Sequence, residues 1–218
     1  LQLIRIKICC IASPAEAALA LAAGADVLGL VAAMPSGPGP ISDDAIAAIA
    51  AGLPPHVLSL LLTAETTADA IADHARRTGV KGVQIVNHID AREQADLARL
   101  LPDHERWQVV HVEDDGALAM IPAHGPYATC FLLDSGRPSQ RELGGTGRVH
   151  DWGISAAFVA ASPVPVFLAG GLNPDNAAAA VAAVRPAGLD VCSGLRRDGR
   201  LDAGLAHAFV AAARQTFT

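Results

Sequence analysis

Two side chains that can transfer protons stand at the carboxyl ends of apolar runs. Cys9 ends the run IRIKIC at residues 4–9, and Asp134 ends the run CFLLD at residues 130–134. A thiolate can act as a base when a nearby cation or dipole lowers its pKa from about 8.5, and a carboxylic acid can donate a proton when burial raises its pKa. If both face one pocket, the pair suits proton transfer, although a cysteine at a strand end is more often structural than reactive.

Two glycine-containing segments, AGGLNP at 169–174 and CSGL at 192–195, follow later apolar runs. Glycine lets a ligand approach the backbone closely, and backbone N–H groups bind phosphate without a cationic side chain. Together the two segments favour a phosphate site over simple turns of the chain. Its predicted members are Gly170, Gly171, Ser193 and Gly194.

A third glycine-rich segment, ELGGTGR at 142–148, carries a weaker pattern because such sequences occur in many flexible turns. We interpret it as a mobile lid that includes Gly145 and Thr146.

The elements that must position these groups alternate along the chain. Predicted strands span residues 4–9, 26–31, 56–62, 82–86, 107–112, 130–134, 164–168 and 189–192. Predicted helices span residues 14–23, 42–51, 66–78, 90–101, 150–161, 174–184 and 202–214, with a weak fifth unit after residue 114. Several begin at capping residues, namely Ser13, Ser42, Asn173 and Asp202. This order fits an open doubly wound sheet or a (β/α)8 barrel, and the eight strands favour an α/β protein with one TIM-barrel domain over residues 1–218.

The period of two along a strand sorts its side chains between the barrel interior and the helix layer. The isoleucines of the first strand suit the helix layer, which puts Lys7 and Cys9 inside. By the same count Asp190 and Cys192 of the last strand face inwards. Because the first and last strands of a barrel are neighbours, Lys7 and Asp190 are predicted to form a buried pair.

Composition excludes several classes of function. The chain has 218 residues, 51% of them hydrophobic, and a formal net charge of -6, so it can bury a core but lacks the basic surface of a nucleic-acid-binding protein. No apolar run is long enough to span a bilayer, and we expect a cytoplasmic protein. The four cysteines have no metal-binding spacing. We expect solvent exposure or simple hydrogen bonding for His88, His104, His111 and His150.

Several motifs follow one another in a particular order and spacing. They are KIC at 7–9, GADVLGLV at 24–31, ISDDA at 41–45, VQI at 83–85, LLDS at 132–135, GGTGRVHDW at 144–152, AGGLNPDN at 169–176 and LDVCSG at 189–194. Together they cover nearly the whole chain and resemble the phosphoribosylanthranilate isomerase family of tryptophan biosynthesis.

The resemblance implies a (β/α)8 barrel that carries out an Amadori rearrangement, an aldose-to-ketose isomerisation of N-(5-phosphoribosyl)anthranilate, without a metal or an organic cofactor. The family's base and acid fall on Cys9 and Asp134. Asp134 would protonate the ribose ring oxygen, and Cys9 would then remove the proton from C2. The partner implied is a small phosphorylated substrate, and the further residues assigned to its binding are Lys7, Gln84 and Asp190.

Two positions near the predicted base depart from the family pattern. Cys10 replaces a glycine, and Gly39 replaces an arginine that holds the anthranilate carboxylate in the family. We expect Gly39→Arg to raise kcat/KM, and the existing residues that would supply the missing cation are Arg137, Arg141 and Arg196. Two alternatives stay open: a barrel that acts on a different phosphorylated sugar amine, and a catalytically silent paralogue that binds a phosphorylated ligand or a protein partner.

Overall fold

The protein is described by a computed structural model that covers residues 3–34, 39–135 and 151–215. Eight parallel strands form a closed barrel in which each strand pairs with the next and the first pairs with the last. The strands are β1 (Arg5–Ile8), β2 (Val27–Val31), β3 (Leu58–Thr63), β4 (Gly82–Ile85), β5 (Glu105–His111), β6 (Cys130–Asp134), β7 (Val166–Leu168) and β8 (Gly188–Val191). The predicted (β/α)8 barrel is confirmed.

A helix follows each strand and packs outside the barrel. The helices are α1 (Pro14–Ala23), α2 (Asp43–Ala51), α3 (Ala68–Thr78), α4 (Ala91–Leu100), α5 (Met120–His124), α6 (Trp152–Ala161), α7 (Ala177–Val184) and α8 (Ala203–Gln215). The weak fifth unit is a 3-10 turn at Asp115–Ala119 that runs into the short α5. None of the helices in the described ranges is long and apolar enough to cross a membrane.

Side-chain caps set several helix starts, as the sequence predicts. Ser13 and Ser42 accept hydrogen bonds from the backbone of α1 and α2, and Asp202 does the same for α8. The predicted cap at Asn173 is wrong. Its side chain accepts from the N–H groups of Asp175 and Asn176, which makes a local turn, and α7 therefore begins three residues later than predicted.

The strands sort their side chains as the period of two predicts. Isoleucines 4, 6 and 8 lie in the main core between barrel and helices. A second cluster fills the barrel interior, made of Val27, Leu58, Leu60, Trp107, Val109, Cys130, Leu132, Phe167 and Ala169. We call this cluster the interior plug. The mouth of the barrel lies beyond it, at the carboxyl ends of the strands, and holds the candidate catalytic residues.

The β8 unit carries an addition that the sequence patterns do not predict. After β8 a 3-10 turn at Ser193–Leu195 leads into a hairpin of two short strands, β9 (Arg196–Arg197) and β10 (Arg200–Leu201), before α8 begins. Leu201 donates its backbone N–H to the Glu16 carboxylate, so this hairpin is fastened to α1.

Candidate active site

Lys7 and Asp190 form an ion pair at the base of the mouth. The strand register places Lys7 opposite Asp190, and the Lys7 Nζ lies 2.8 Å from an Asp190 carboxylate oxygen. Lys7 is fully buried. Burial alone would lower the pKa of Lys7, but the Asp190 carboxylate and the Cys9 sulfur outweigh it and hold that pKa above its ordinary value. The predicted buried pair is confirmed, and the lysine is a fixed positive charge.

Cys9 lies directly above this charge. Its thiol is buried, and the Cys9 sulfur is close enough to the Lys7 ammonium to help raise the pKa of Lys7. The geometry therefore places a thiol beside a fixed positive charge at the mouth of the barrel.

Gly29 makes the room for this contact, and the sequence patterns did not single it out. A Cβ atom at position 29 would stand 2.7 Å from the Cys9 Sγ and 3.1 Å from the Lys7 Nζ. A glycine in the middle of an otherwise apolar strand often marks a close approach by another group, and this was the available signal.

Asp134 ends β6 and faces the same interior. Its carboxylate accepts a 2.7 Å hydrogen bond from the backbone N–H of Ser135. Burial raises the pKa of Asp134, and the Ser135 N–H and the neighbouring His111 offset only part of this effect. A raised pKa brings a carboxyl group closer to the range in which it can donate a proton near neutral pH.

His111 is a residue of the mouth that the sequence patterns assigned to exposure or simple hydrogen bonding. The β5–β6 register sets it directly opposite Asp134, on the inward face that it shares with Trp107 and Val109. Its Nε2 lies 3.4 Å from the Val86 carbonyl oxygen. The alternation of side chains along β5 predicts that His111 faces inwards. It does not predict that His111 lies close to the Asp134 carboxyl group.

The two glycine segments meet at the top of β7 and β8. A Cβ atom on Gly194 would stand 2.0 Å from the Leu172 carbonyl oxygen, so the two loops touch through backbone. Gly170 and Gly171 have φ angles of 86° and 65°, in the left-handed region that favours glycine. The structure thus brings together the segments that hold the four predicted phosphate ligands.

Side-chain amides fix the β7 loop from behind. Asn176 donates a 3.0 Å hydrogen bond to the Gly171 carbonyl oxygen and accepts one from the Asn173 N–H. Within the described ranges, none of the recorded loop hydrogen bonds is donated by the amides of Gly170, Gly171, Ser193 or Gly194. A ligand that offers oxygen acceptors suits such a loop.

The two departures from the family pattern lie against each other. A Cβ atom on Gly39 would stand 2.7 Å from the Cys10 Cβ, and Gly39 has a φ angle of 83°. Cys10 itself has a φ of 61°, a conformation that glycine adopts without strain. The expectation that Gly39→Arg alone raises activity therefore needs correction, because the Cys10 side chain occupies the space that the new side chain needs.

Of the remaining predicted site residues, Arg196 and Gln84 lie in the described ranges. Arg196 is occupied by the Glu16 carboxylate at 3.0 Å and by backbone oxygens of Cys10 and Gly199, so its guanidinium has partners already. Gln84 is buried, and its Oε1 has no hydrogen-bond partner among the described residues. The others lie outside the described residues, namely Arg137, Arg141, Gly145 and Thr146. In the described ranges no group of three potential ligand side chains could hold a metal ion.

Comparison with known proteins gives a consistent result. The family model for N-(5'phosphoribosyl)anthranilate (PRA) isomerase matches residues 6–212. The N-(5'-phosphoribosyl)anthranilate isomerase of Haloferax volcanii is 37% identical over 213 residues, which are 96% of this chain and 93% of the relative. That of Halobacterium salinarum is 34% identical over 215 residues, which are 97% and 96% of the two chains.

Solved structures extend the likeness to three dimensions. The phosphoribosyl anthranilate isomerase of Thermus thermophilus superposes with a TM-score of 0.81 at 26% identity and covers 96% of this chain and 98% of its own. A phosphoribosyl anthranilate isomerase in complex with reduced 1-(o-carboxyphenylamino)-1-deoxyribulose 5-phosphate superposes at 0.76 with 25% identity, over 97% and 99% of the chains. With its closed barrel and the family model spanning residues 6–212, the chain belongs to the N-(5'-phosphoribosyl)anthranilate isomerase family.

Proposed function

We propose that the family's reaction, the Amadori rearrangement of N-(5'-phosphoribosyl)anthranilate to carboxyphenylamino-deoxyribulose phosphate, proceeds here with Cys9 as base and Asp134 as acid. The observation that carries the proposal is the contrast between the two groups. The Cys9 sulfur lies beside the buried Lys7 ammonium, whereas burial raises the pKa of the Asp134 carboxyl group. An isomerisation needs a group of each kind at the same time.

The reaction begins at the sugar ring. Asp134 donates its proton to the ring oxygen, the bond from that oxygen to C1 breaks, and the anilino nitrogen supplies the electron pair that forms the iminium. Cys9 then removes the proton from C2, and the C2–H electrons flow into the C1–C2 bond to give an enolamine. Tautomerisation gives the ketone. Asp134 and Cys9 are thus the donor and the acceptor of the two protons that move before the tautomerisation.

The substrate's phosphate is assigned to the amides of Gly170, Gly171, Ser193 and Gly194. Contact between the two loops at Gly194 and the left-handed glycines of the β7 loop support this assignment. A ligand seated there would extend across the mouth towards Cys9, which follows β1, and Asp134, which ends β6. This assignment would put the reacting carbons of an organic phosphate over the acid and the base.

The apolar wall beside Cys9 suits an aromatic ring. Cys9 packs in a cluster with Val31, Leu62 and Val86, and Met34 lies against it. A ring on the substrate's nitrogen would remove apolar area from water on this side of the mouth.

A second candidate function, the same chemistry on a phosphorylated sugar amine without a carboxylate, is favoured by one observation. The Cys10 side chain fills the space beside Gly39, at the position where the family carries its carboxylate-binding arginine. A barrel without this arginine lacks a charged group that would bind the anthranilate carboxylate, so its affinity for anthranilate should be lower. Cytoplasmic location stays a prediction.

The test is single-turnover isomerisation of N-(5'-phosphoribosyl)anthranilate by purified protein and two variants. Cys9→Ala and Asp134→Asn should each lower the rate by about 10²–10⁴-fold, the usual contribution of one acid or base. Cys130→Ala is the matched control, because Cys130 is also a buried, inward-facing thiol but sits deep in the interior plug.

Three results separate the hypotheses. Turnover that survives Cys9→Ala removes the thiol from the base role. Turnover of an anilino-free sugar amine phosphate above that of the anthranilate substrate favours the second candidate. No turnover of either, with a phosphorylated ligand that still raises Tm, favours a binding paralogue.

A further inference from the structure

Three of the four cysteines meet at one point of the barrel mouth. Cys9 and Cys10 are buried, and the partly exposed Cys192 packs against them. The Cys10 thiol is in hydrogen-bond contact with both the Cys9 and the Cys192 thiols. The proposed reaction uses only Cys9, so the other two sulfur atoms are left without a role.

The fold explains why these residues meet. Strands β1 and β8 pair in register up to Ile8 and Val191, and the Cys9 N–H donates a 2.9 Å hydrogen bond to the Val191 carbonyl oxygen. Cys9 and Cys192 therefore leave the two strands side by side. The left-handed backbone of Cys10, with φ at 61°, turns the chain so that its side chain stays in the same cluster.

A side chain at this φ strains the backbone, whereas glycine would adopt the same φ without strain. Cys10 packs in the apolar cluster beside Cys9 and Val31, which offsets some of this strain, but another small apolar side chain could do the same. Sulfur chemistry gives a reason for a thiol at this position that packing does not.

The environment makes Cys192 the nucleophile of the group. A hydrogen bond from the Cys10 thiol and the nearby Arg196 guanidinium lower the pKa of Cys192 to about 7, against the effect of burial. The same contacts raise the pKa of Cys10, which keeps its proton. A thiolate next to a second thiol and a guanidinium, partly open to solvent, has the features of a cysteine that reacts with oxidants.

We propose that Cys192 and Cys10 form a reversible disulfide when the protein meets a hydroperoxide. The Cys192 thiolate attacks the outer peroxide oxygen, the O–O bond breaks, and the alcohol leaves after taking a proton. The Cys10 thiol then attacks the sulfenic sulfur, the S–S bond forms as the S–O bond breaks, and the Cys10 proton leaves with the hydroxyl group as water. Two thiols lose two electrons and two protons, and the peroxide is reduced to an alcohol and water.

The disulfide would join the ends of β1 and β8 across the mouth. Cys10 follows the proposed base, and Cys192 precedes the proposed phosphate ligand Ser193. An S–S bond between them shifts both segments, so isomerisation should fall when the bond forms and return when it is reduced. This effect on activity rests on the proposed function, whereas the formation of the bond does not.

The experiment treats the reduced full chain with hydrogen peroxide, alkylates the remaining thiols and maps the peptides by mass spectrometry. We expect a cross-link from Cys192 to the peptide that contains Cys10, with the loss of two hydrogens, and its disappearance after dithiothreitol. Over the same period isomerase activity should fall at least tenfold and recover on reduction.

Variants identify the partners. Cys192→Ser and Cys10→Ala should each abolish the cross-link and the reversible loss of activity, while Cys130→Ser should change neither, because burial raises the pKa of Cys130. A cross-link that persists in Cys10→Ala, or one that joins Cys192 to Cys9, overturns the assignment of Cys10. Oxidation of Cys192 to sulfinic acid without a cross-link overturns the disulfide. The cross-link is read without activity, so a failure of the Cys9 mechanism is detected separately.

Discussion

The β1–β8 side of the mouth and the β6 side hold buried ionisable groups in opposite ways. On the first side every charge has a partner, since Lys7 faces Asp190 and Arg196 faces Glu16. On the second side Asp134 receives one backbone hydrogen bond and no salt bridge among the described residues, and burial raises its pKa. Burial also raises the pKa of Asp190, but Lys7 offsets part of that effect, whereas Asp134 has no salt bridge among the described residues. The same barrel interior thus holds one carboxylate in an ion pair and one carboxyl group outside any ion pair of the described residues.

The largest expected effect tests the paired side. Asp190→Ala should lower the free energy of unfolding by about 3–5 kcal/mol, because it leaves the buried Lys7 ammonium without its partner. Urea unfolding measures the change. Adding Lys7→Met should recover much of the loss, since the unpaired charge is then gone.

The matched control is Asp96→Ala, which breaks an ion pair with the exposed Arg99 on the surface of α4. Its cost should stay below about 1 kcal/mol. If Asp190→Ala unfolded at the same urea concentration as this control, the β1–β8 side would not depend on pairing.

The second effect concerns Cys10 and Gly39 in a double-mutant cycle. Gly39→Arg alone should not raise kcat/KM on the anthranilate substrate, because the new side chain meets the Cys10 Cβ and a left-handed backbone. In a Cys10→Gly background the same arginine should raise kcat/KM by about one to two decades, the worth of a charge-assisted hydrogen bond of roughly 1.5–3 kcal/mol. Additive effects of the two changes would show that the side chains do not compete.

The third effect separates the phosphate loops from the rest of the mouth. Gly194→Ala forces the β7 and β8 loops apart at the Leu172 carbonyl oxygen and should weaken competitive inhibition by inorganic phosphate about tenfold or more, near 1.4 kcal/mol. Gly52→Ala is the control, because Gly52 at the end of α2 has a φ of -85° and a Cβ there would come no closer than 3.6 Å to other atoms. Equal inhibition constants in the two variants would show that phosphate binds at another place.

The smallest effect tests the unpaired side. Asp134→Asn should lower activity by about 10²–10⁴-fold yet raise Tm slightly at pH 7, because the neutral amide does not bury a charge. The raised pKa means that the wild-type carboxyl contributes most to stability when protonated and loses that contribution as pH rises through its folded pKa. Thermal unfolding should show that the gain in Tm becomes smaller as pH falls towards 4. A variant with a lower Tm than the wild type at pH 7 would contradict the interpretation that Asp134 is buried without an ion-pair partner.

The sequence patterns correctly predicted features that depend on residues close together in the chain. Strand alternation gave the inward orientation of Lys7, Asp190 and Cys192 because the period of two depends only on the backbone of one strand. Two of the predicted caps, at Ser13 and Ser42, depend on bonds within three residues and were confirmed. The Lys7–Asp190 ion pair could also be predicted, because closure of the barrel makes the first and last strands neighbours.

Contacts between loops were beyond the sequence patterns. Cys10 and Gly39 lie far apart in the chain, and no local rule brings one against the other. Arg196 was a candidate for the substrate's carboxylate, but the β9–β10 hairpin turns it onto Glu16, and this hairpin has no periodic signal. His111 lies beside Asp134 only because β5 and β6 are in register.

The bond between Glu16 and Arg196 also bears on how the chain assembles. The two residues are separated by 180 positions in sequence, and Arg214 of α8 reaches back over a similar interval to Asp26. A ribosome releases the amino-terminal units first, so Lys7 emerges long before its carboxylate partner is made. During synthesis the ammonium must stay hydrated, which keeps β1 from burying early. The β1–β8 seam therefore closes last, and a chain stalled before β8 has seven of the eight strands in an open barrel that a protease can cut.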